Sequence, residues 1–251
     1  MVVMKRAPLA LIVGLAGLSL LVLAVIAGAA FSASGVSSAS GTFGTTGLPD
    51  APPAPSEEIN PDADADSAKI VLAGGCFWCT EYIFEHVDGV TDVVSGYAGG
   101  SEGDADYKKV SMGETDHAEV IEVTYDPSKV TLGDLFRVFF GPAHDPTQLN
   151  RQGPDYGKQY RSAVFYATDA QKAAAEAYMK QLTDASVFDK KIETTLEPLT
   201  GFYAAEDYHQ NYVNLHPDER YVVVNALPKV EKLKKQLPEL YTEERADASA
   251  E

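Results

Sequence analysis

Residues Leu9 to Phe31 form a run of 23 residues without a charge, and this run sets how much of the chain is left to build a soluble core. As a helix it is roughly 34 Å long, enough to cross a ~30 Å hydrocarbon layer. Lys5 and Arg6 precede it, so the positive-inside rule carries everything after it across the membrane. Ala27-Gly28-Ala29 and Ser32-Ala33 offer small-residue cleavage sites. Residues 1–31 are therefore either an N-terminal membrane anchor, which the length favours, or a long signal peptide. Residues 32–68 are rich in Ser, Gly, Ala, Pro and Asp, lack apolar periodicity and read as a flexible linker. A single folded domain is expected over residues 69–240, with a polar tail at 241–251. The expected location is membrane-anchored or secreted, with the domain on the extracytoplasmic, periplasmic side.

The formal charge is −17. The segment before Lys69 supplies little of it (Lys5 and Arg6 against Asp50, Glu57, Glu58, Asp62, Asp64 and Asp66), so the domain itself is acidic. No basic cluster stands outside Lys229–Lys235, and that run alternates with apolar residues as a solvated helix face does. Nucleic acid is excluded as a partner on electrostatic grounds.

Alternating and β-branched runs predict strands at Lys69–Ala73, Val90–Gly96, Ala118–Tyr125, Ala163–Ala167 and Glu193–Leu196. Helical patterns fall at Thr80–His86, Thr131–Phe140, Asp169–Thr183, Glu206–Asn214 and Lys229–Gln236. Thr131 has Asp134 three residues on, the arrangement of a capping box, and Thr168 or Asp169 caps the next helix. The β-α-β-β-α-β order predicts an α+β two-layer sandwich with a ferredoxin-like split βαβ core. Ala98–Gly113 and Ala143–Tyr160 show no regular pattern. Loops of that length in a compact domain usually carry function, and these hold or adjoin Tyr97, Tyr107, Asp155, Tyr156 and Tyr160.

Both cysteines and the only tryptophan lie in one heptapeptide, Gly75-Cys76-Phe77-Trp78-Cys79-Thr80-Glu81. It sits where the apolar run Ile70-Val71-Leu72-Ala73 gives way to a helical pattern. A thiol at such a turn meets free backbone N–H groups and the positive end of the helix, a setting that lowers its pKa. Zinc is disfavoured because no further cysteine exists and the five histidines show no ligand spacing. Inert packing cysteines are the other reading. Redox chemistry fits the pattern better than either.

Further segments carry a resemblance. They are Ser95-Gly96-Tyr97-Ala98-Gly99-Gly100, Asp116-His117-Ala118-Glu119-Val120, Tyr125-Asp126-Pro127 and His144-Asp145-Pro146-Thr147. Arg151 to Ser162 and Phe202 to Tyr212 complete the series. With the heptapeptide, and in this order, the set resembles the A-type peptide methionine sulfoxide reductases over roughly Ile70 to Pro217. The resemblance implies a two-layer α+β fold and thiol-dependent reduction of the S epimer of methionine sulfoxide, free or in oxidised proteins. It implies no bound cofactor, with an external thioredoxin-like dithiol as reductant. Carried over by position, Cys76 is the nucleophile, and Phe77 and Trp78 wall in the methyl group of the substrate. Glu119 hydrogen-bonds or protonates the sulfoxide oxygen with Tyr107 and Tyr160, and Asp155 orients the site.

The chemistry is consistent with those roles. A sulfoxide sulfur is a poor electrophile until its oxygen accepts a proton, so an acid and a thiolate are both needed. Strand alternation places Glu119 with Ile121 on one face and Ala118 with Val120 on the other. Two positions depart from the family pattern: Cys79 where glycine is frequent, and Asp116 where glycine is usual. No cysteine follows Glu81, so only Cys79 is available to resolve an oxidised Cys76. The main alternative is a thiol–disulfide oxidoreductase acting through Cys76-Phe77-Trp78-Cys79; a tethered binding domain without chemistry is a third reading.

Overall fold

Strand β1, Ala68–Gly74, lies at the centre because its side chains are apolar on both faces. Ile70 and Leu72 enter the larger core, and Val71 and Ala73 a smaller one on the opposite face of the sheet. The computed structural model describes residues 51–56 and 59–246. After β1 come α1 (Phe77–Phe84), β2 (Val90–Ala98), α2 (Tyr107–Ser111), β3 (Ala118–Tyr125) and α3 (Leu132–Val138). A short hairpin of β4 (Arg151–Gln152) and β5 (Asp155–Tyr156) precedes β6 (Ser162–Tyr166) and α4 (Asp169–Asp184). The described chain continues through β7 (Thr195–Pro198), β8 (Phe202–Ala204), α5 (Tyr212–Leu215) and α6 (Leu227–Gln236).

The main sheet runs β7-β6-β1-β3-β2-β8. Neighbours pair antiparallel except β6 with β7. The inner order β6-β1-β3-β2 is compatible with the split βαβ expectation, and the class is mixed α+β. The larger core joins Ile70, Leu72, Val93, Ile121 and Val123 to Phe136, Phe139, Phe140, Tyr178 and Leu233 from helices and turns. Thr131 closes a full capping box with Asp134 at the start of α3, and Thr168 caps α4 by accepting from the Gln171 amide.

Four expectations need correction. The two stretches expected to lack regular structure hold α2, the β4–β5 hairpin, and 3-10 turns at Glu102–Asp104 and Lys158–Tyr160. These elements are too short to show a period in sequence. Part of the stretch assigned to the linker is docked: the Tyr178 hydroxyl donates to Pro53 O at 2.8 Å and Gln181 Nε2 to Ala54 O at 2.7 Å. Proline-rich backbone has carbonyls to offer and few amides, so side chains of α4 capture it. Residues 241–246, assigned to the tail, return to the C-terminal end of α1, where Arg245 pairs with the fully buried Glu85 at 3.1 Å. A buried carboxylate needs such a partner.

The last correction concerns the lysine run. Lys229 donates to Ala143 O and Lys232 to Gly141 O, the latter at 2.9 Å. Both carbonyls end the π-helical turn Phe139–Ala143, where cations are favoured. Lys234 and Lys235 keep the solvated role, Lys234 beside Glu243 at 3.4 Å.

Among the described residues no helix is long and apolar enough to cross a membrane, and the Leu9–Phe31 run lies outside them.

Candidate active site

The chain leaves β1 through Gly74 and Gly75 into α1. Gly75 has φ +92°, and a Cβ there would sit 2.5 Å from Gln152 Cβ, so no other residue fits this turn. Cys76 follows as the N-cap of α1, with φ −53° and ψ 123° and no side-chain cap bond. The first amides of a helix have no partner inside it. Here the Phe77 amide finds one in Glu119, donating to Oε2 at 3.0 Å. Glu119 reaches it from β3, with Ile121 on the larger-core face while Ala118 and Val120 turn to the smaller core. The alternation expected from sequence holds, and Glu119 is buried rather than solvated.

Aromatic rings form one wall. Phe77 is fully buried, with the His209 ring centroid 5.1 Å and the Tyr107 centroid 6.4 Å from its own. Trp78 stacks on Tyr212 at 3.7 Å and 5° between planes, and its Nε1 donates to His209 Nδ1 at 3.1 Å. His209 therefore accepts at Nδ1, and burial lowers its pKa, so the ring is neutral. Glu206 ties this wall to the sheet by accepting from the Tyr97 hydroxyl at 2.8 Å and the Tyr107 amide at 3.0 Å. Gln210 adds bonds to both backbone groups of Ser95 in β2.

The second cysteine has its own partners. The Cys79 thiol lies 3.9 Å from the Tyr221 hydroxyl, which donates to Asp155 Oδ2 at 2.6 Å. Cys76, Cys79, Gln152, Asp155, Tyr221 and Lys229 line one cavity of about 60 Å³. Tyr160 packs against the cysteine cluster from the Lys158–Tyr160 turn. A larger hollow of about 550 Å³, lined by Leu182, Phe188 and Lys191 among others, holds none of these residues, so size alone does not locate the chemistry.

Burial dominates the protonation states. It pushes Glu119 up to about 8, with the Phe77 amide pulling the other way. A carboxyl at that value keeps its proton at neutral pH. Burial raises Tyr107 to about 12, and it raises Tyr160 and Asp155 as well. The thiols part in opposite directions. Burial and the neighbouring Cys79 push Cys76 well above its ordinary value. A hydrogen bond from Cys76, then the charge of Lys229, lower Cys79. The expectation that this turn lowers the pKa of its thiol is thus corrected for Cys76: in the resting site, desolvation outweighs the helix end. Both cysteines are free.

All eight residues singled out in the sequence surround this turn. Tyr107, placed on a loop by the sequence reading, begins α2, and Asp155 lies in β5. Sequence reasoning missed the roles of His209, Glu206 and Gln210, although their segment was recognised. Tyr221 and Lys229 were missed outright, since neither stands in a recognised segment. Asp116, the departure from the family pattern, meets Lys158 at 2.8 Å in an exposed pair of small energetic weight.

The family model for peptide methionine sulfoxide reductase matches residues 68–241. The chain belongs to the peptide methionine sulfoxide reductase family. It is 51% identical over 177 residues to peptide methionine sulfoxide reductase MsrA 2 of Mesorhizobium japonicum, covering 70% of this chain and 91% of that protein. It is 50% identical over 181 residues to the MsrA 2 of Synechocystis, covering 71% and 85%. The reduced form of Mxr1 from Saccharomyces cerevisiae superimposes with a TM-score of 0.55 at 40% identity, over 62% of this chain and 88% of that one. Methionine sulfoxide reductase A of Corynebacterium diphtheriae gives 0.53 at 32% identity, over 67% and 87%. The protein is an oxidoreductase that reduces methionine sulfoxide, a repair activity, and the disulfide-oxidoreductase alternative is set aside.

Proposed function

We propose that Cys76 attacks the sulfur of methionine S-sulfoxide while Glu119 gives a proton to its oxygen. The observation that carries this reading is the bond from the Phe77 amide to Glu119, which brings a proton-bearing carboxyl to the residue next to Cys76. The sulfoxide sulfur gains two electrons and leaves as methionine, and the oxygen passes to Cys76 as a sulfenic acid. Tyr107 and Tyr160 keep their hydroxyl protons at neutral pH and donate to the same oxygen. The faces of Phe77 and Trp78 receive the methyl group, and Asp155, held by Tyr221, orients the polar side.

Cys79 then condenses with the sulfenic acid. The sulfur–sulfur bond forms, the sulfur–oxygen bond breaks, and the oxygen leaves as water. An external dithiol of the thioredoxin class reduces that disulfide. Exposed Tyr156 follows Asp155 in β5 and exposed Tyr208 packs on the His209 ring, and both offer apolar surface to a methionine-bearing polypeptide. Oxidised proteins as well as free methionine sulfoxide are the substrates under this reading.

Assay with separated epimers tests the stereochemistry: the S form is consumed and the R form persists, whereas equal rates overturn the assignment. We further propose that Leu9–Phe31 holds the domain outside the cytoplasm, as an anchor or an export signal. The basic residues before it and its charge-free length support this. Protease added to spheroplasts then removes the domain while the membrane stays sealed, and full protection contradicts the topology.

A further inference from the structure

The cavity beside the two cysteines contains a cation that the sulfoxide-reducing step does not use. Lys229, at the start of α6, lines it together with Cys76 and Cys79, and its ammonium donates to the carbonyl of Ala143. Among the described residues Lys229 enters no ion pair with a carboxylate. A cation withdrawn from water without a counter-charge is costly. Lys232 stands one turn along α6 on the Gly141 carbonyl and adds repulsion, which Asp145 beside it partly offsets. Neutral His144 lies on the same side. The groups facing Lys229 that can take up negative charge are Cys79, Cys76 and Asp155.

We propose that Lys229 is the positioning residue of the resolving step, the charge that holds Cys79 as a thiolate when it attacks the oxidised Cys76. The inference rests on the reading of Cys79 as the resolving thiol.

Cys79 is better placed than Cys76 to carry that charge. The Cys76 thiol donates toward its sulfur, and the Lys229 ammonium lines the same cavity. Asp155 on the cavity wall, and Glu119 once it is ionised, oppose negative charge on the sulfurs. Lys229 is the cation that counters them. In the resolving step the Cys79 thiolate bonds to the Cys76 sulfur, and the sulfenic oxygen departs with a proton from solvent to give water. In the reductive step an external dithiol attacks Cys76, and Cys79 leaves again as a thiolate beside the same ammonium. A cation at a leaving thiolate favours both directions of the cycle.

The test follows disulfide formation in the full chain after one sulfoxide turnover, by quenched mass spectrometry across a range of pH. K229M is expected to slow this step roughly a hundredfold, the scale for losing one preorganised charge partner, and to move its pH midpoint upward. K229R restores the midpoint. If K229M leaves rate and midpoint alone, or if K229M and K229R slow the step equally at an unmoved midpoint, Lys229 is a packing residue and the proposal is overturned. A wild-type enzyme that forms no Cys76–Cys79 disulfide removes the resolving role of Cys79 itself, a different result from either. Alkylation of Cys79 in C76S gives a second measurement that needs no change at Lys229. A midpoint below that of free cysteine supports the proposal, and one at or above it contradicts the proposal.

Discussion

The backbone N–H of Phe77 donates to Glu119 Oε2 over 3.0 Å, which ties the residue following Cys76 to a carboxyl on the middle of the sheet. The bond has two consequences. It fixes the carboxyl beside the first turn of α1, and it offers the carboxylate a donor whenever the group is ionised. Burial wins in the resting state and keeps the acid neutral; the amide lowers the cost of the ionised state that follows.

Glu119→Gln is therefore expected to lower kcat/KM by about 10²–10⁴-fold, the range for a positioned general acid. Wild-type activity also declines as pH rises through about 8, because the acid form of Glu119 is lost there. Steady-state rates against pH check both. A variant within a few-fold of wild type at every pH removes Glu119 from the role.

Stability should respond to pH in the same window. Glu81 is likewise pushed up to about 8, by burial first and by Glu85 second, from an ordinary 4.5. The native state holds the protons of Glu81 and Glu119 more tightly than the unfolded chain does. Their contribution is complete below the ordinary carboxylate value and is lost as pH rises through about 8. Tm falls over that interval, and Glu81→Gln makes the fall shallower. Calorimetric melts across the interval decide it; an unchanged slope in the variant contradicts the assignment.

Gly75→Ala places a Cβ 2.5 Å from Gln152 Cβ and forces an L residue to φ +92°. Strain of this kind costs about 1–3 kcal/mol, so denaturant midpoints fall accordingly. Because the shift is applied next to Cys76, the variant also loses turnover. Wild-type stability in this variant rules out the turn geometry described.

The main strands and helices were legible because they are long enough to show a period: β3 falls at Ala118–Tyr125 as its alternation predicts, and the Thr131–Asp134 capping box forms. Glu119 was found because it stands in that alternation. The protonation of the thiols was not legible, since it depends on how deeply the turn after Gly75 is buried and on Lys229, 150 positions beyond Cys79 in sequence. Tyr221 and Lys229 belong to the region after Tyr212, which lacks a pattern beyond helix-forming composition; only packing against Cys79 gives them a role. The same reason hid the docking of Pro53 and Arg245, whose partners Tyr178 and Glu85 are distant in sequence.

The central claim is that Cys76 takes the oxygen and Cys79 removes it. Two consecutive helical turns hold residues three apart with Cβ atoms about 5–6 Å distant, whereas a disulfide needs about 3.5–4.5 Å. Cys76 escapes that limit, since as N-cap its φ and ψ are not helical. Counting methionine released per enzyme in Cys79→Ser, with a thioredoxin-type reductant present, tests the claim most directly. The account predicts one methionine per enzyme followed by a stall, with a dimedone-reactive sulfenic acid on Cys76. Undiminished steady turnover in that variant would show that the external thiol restores Cys76 without Cys79, and would contradict it.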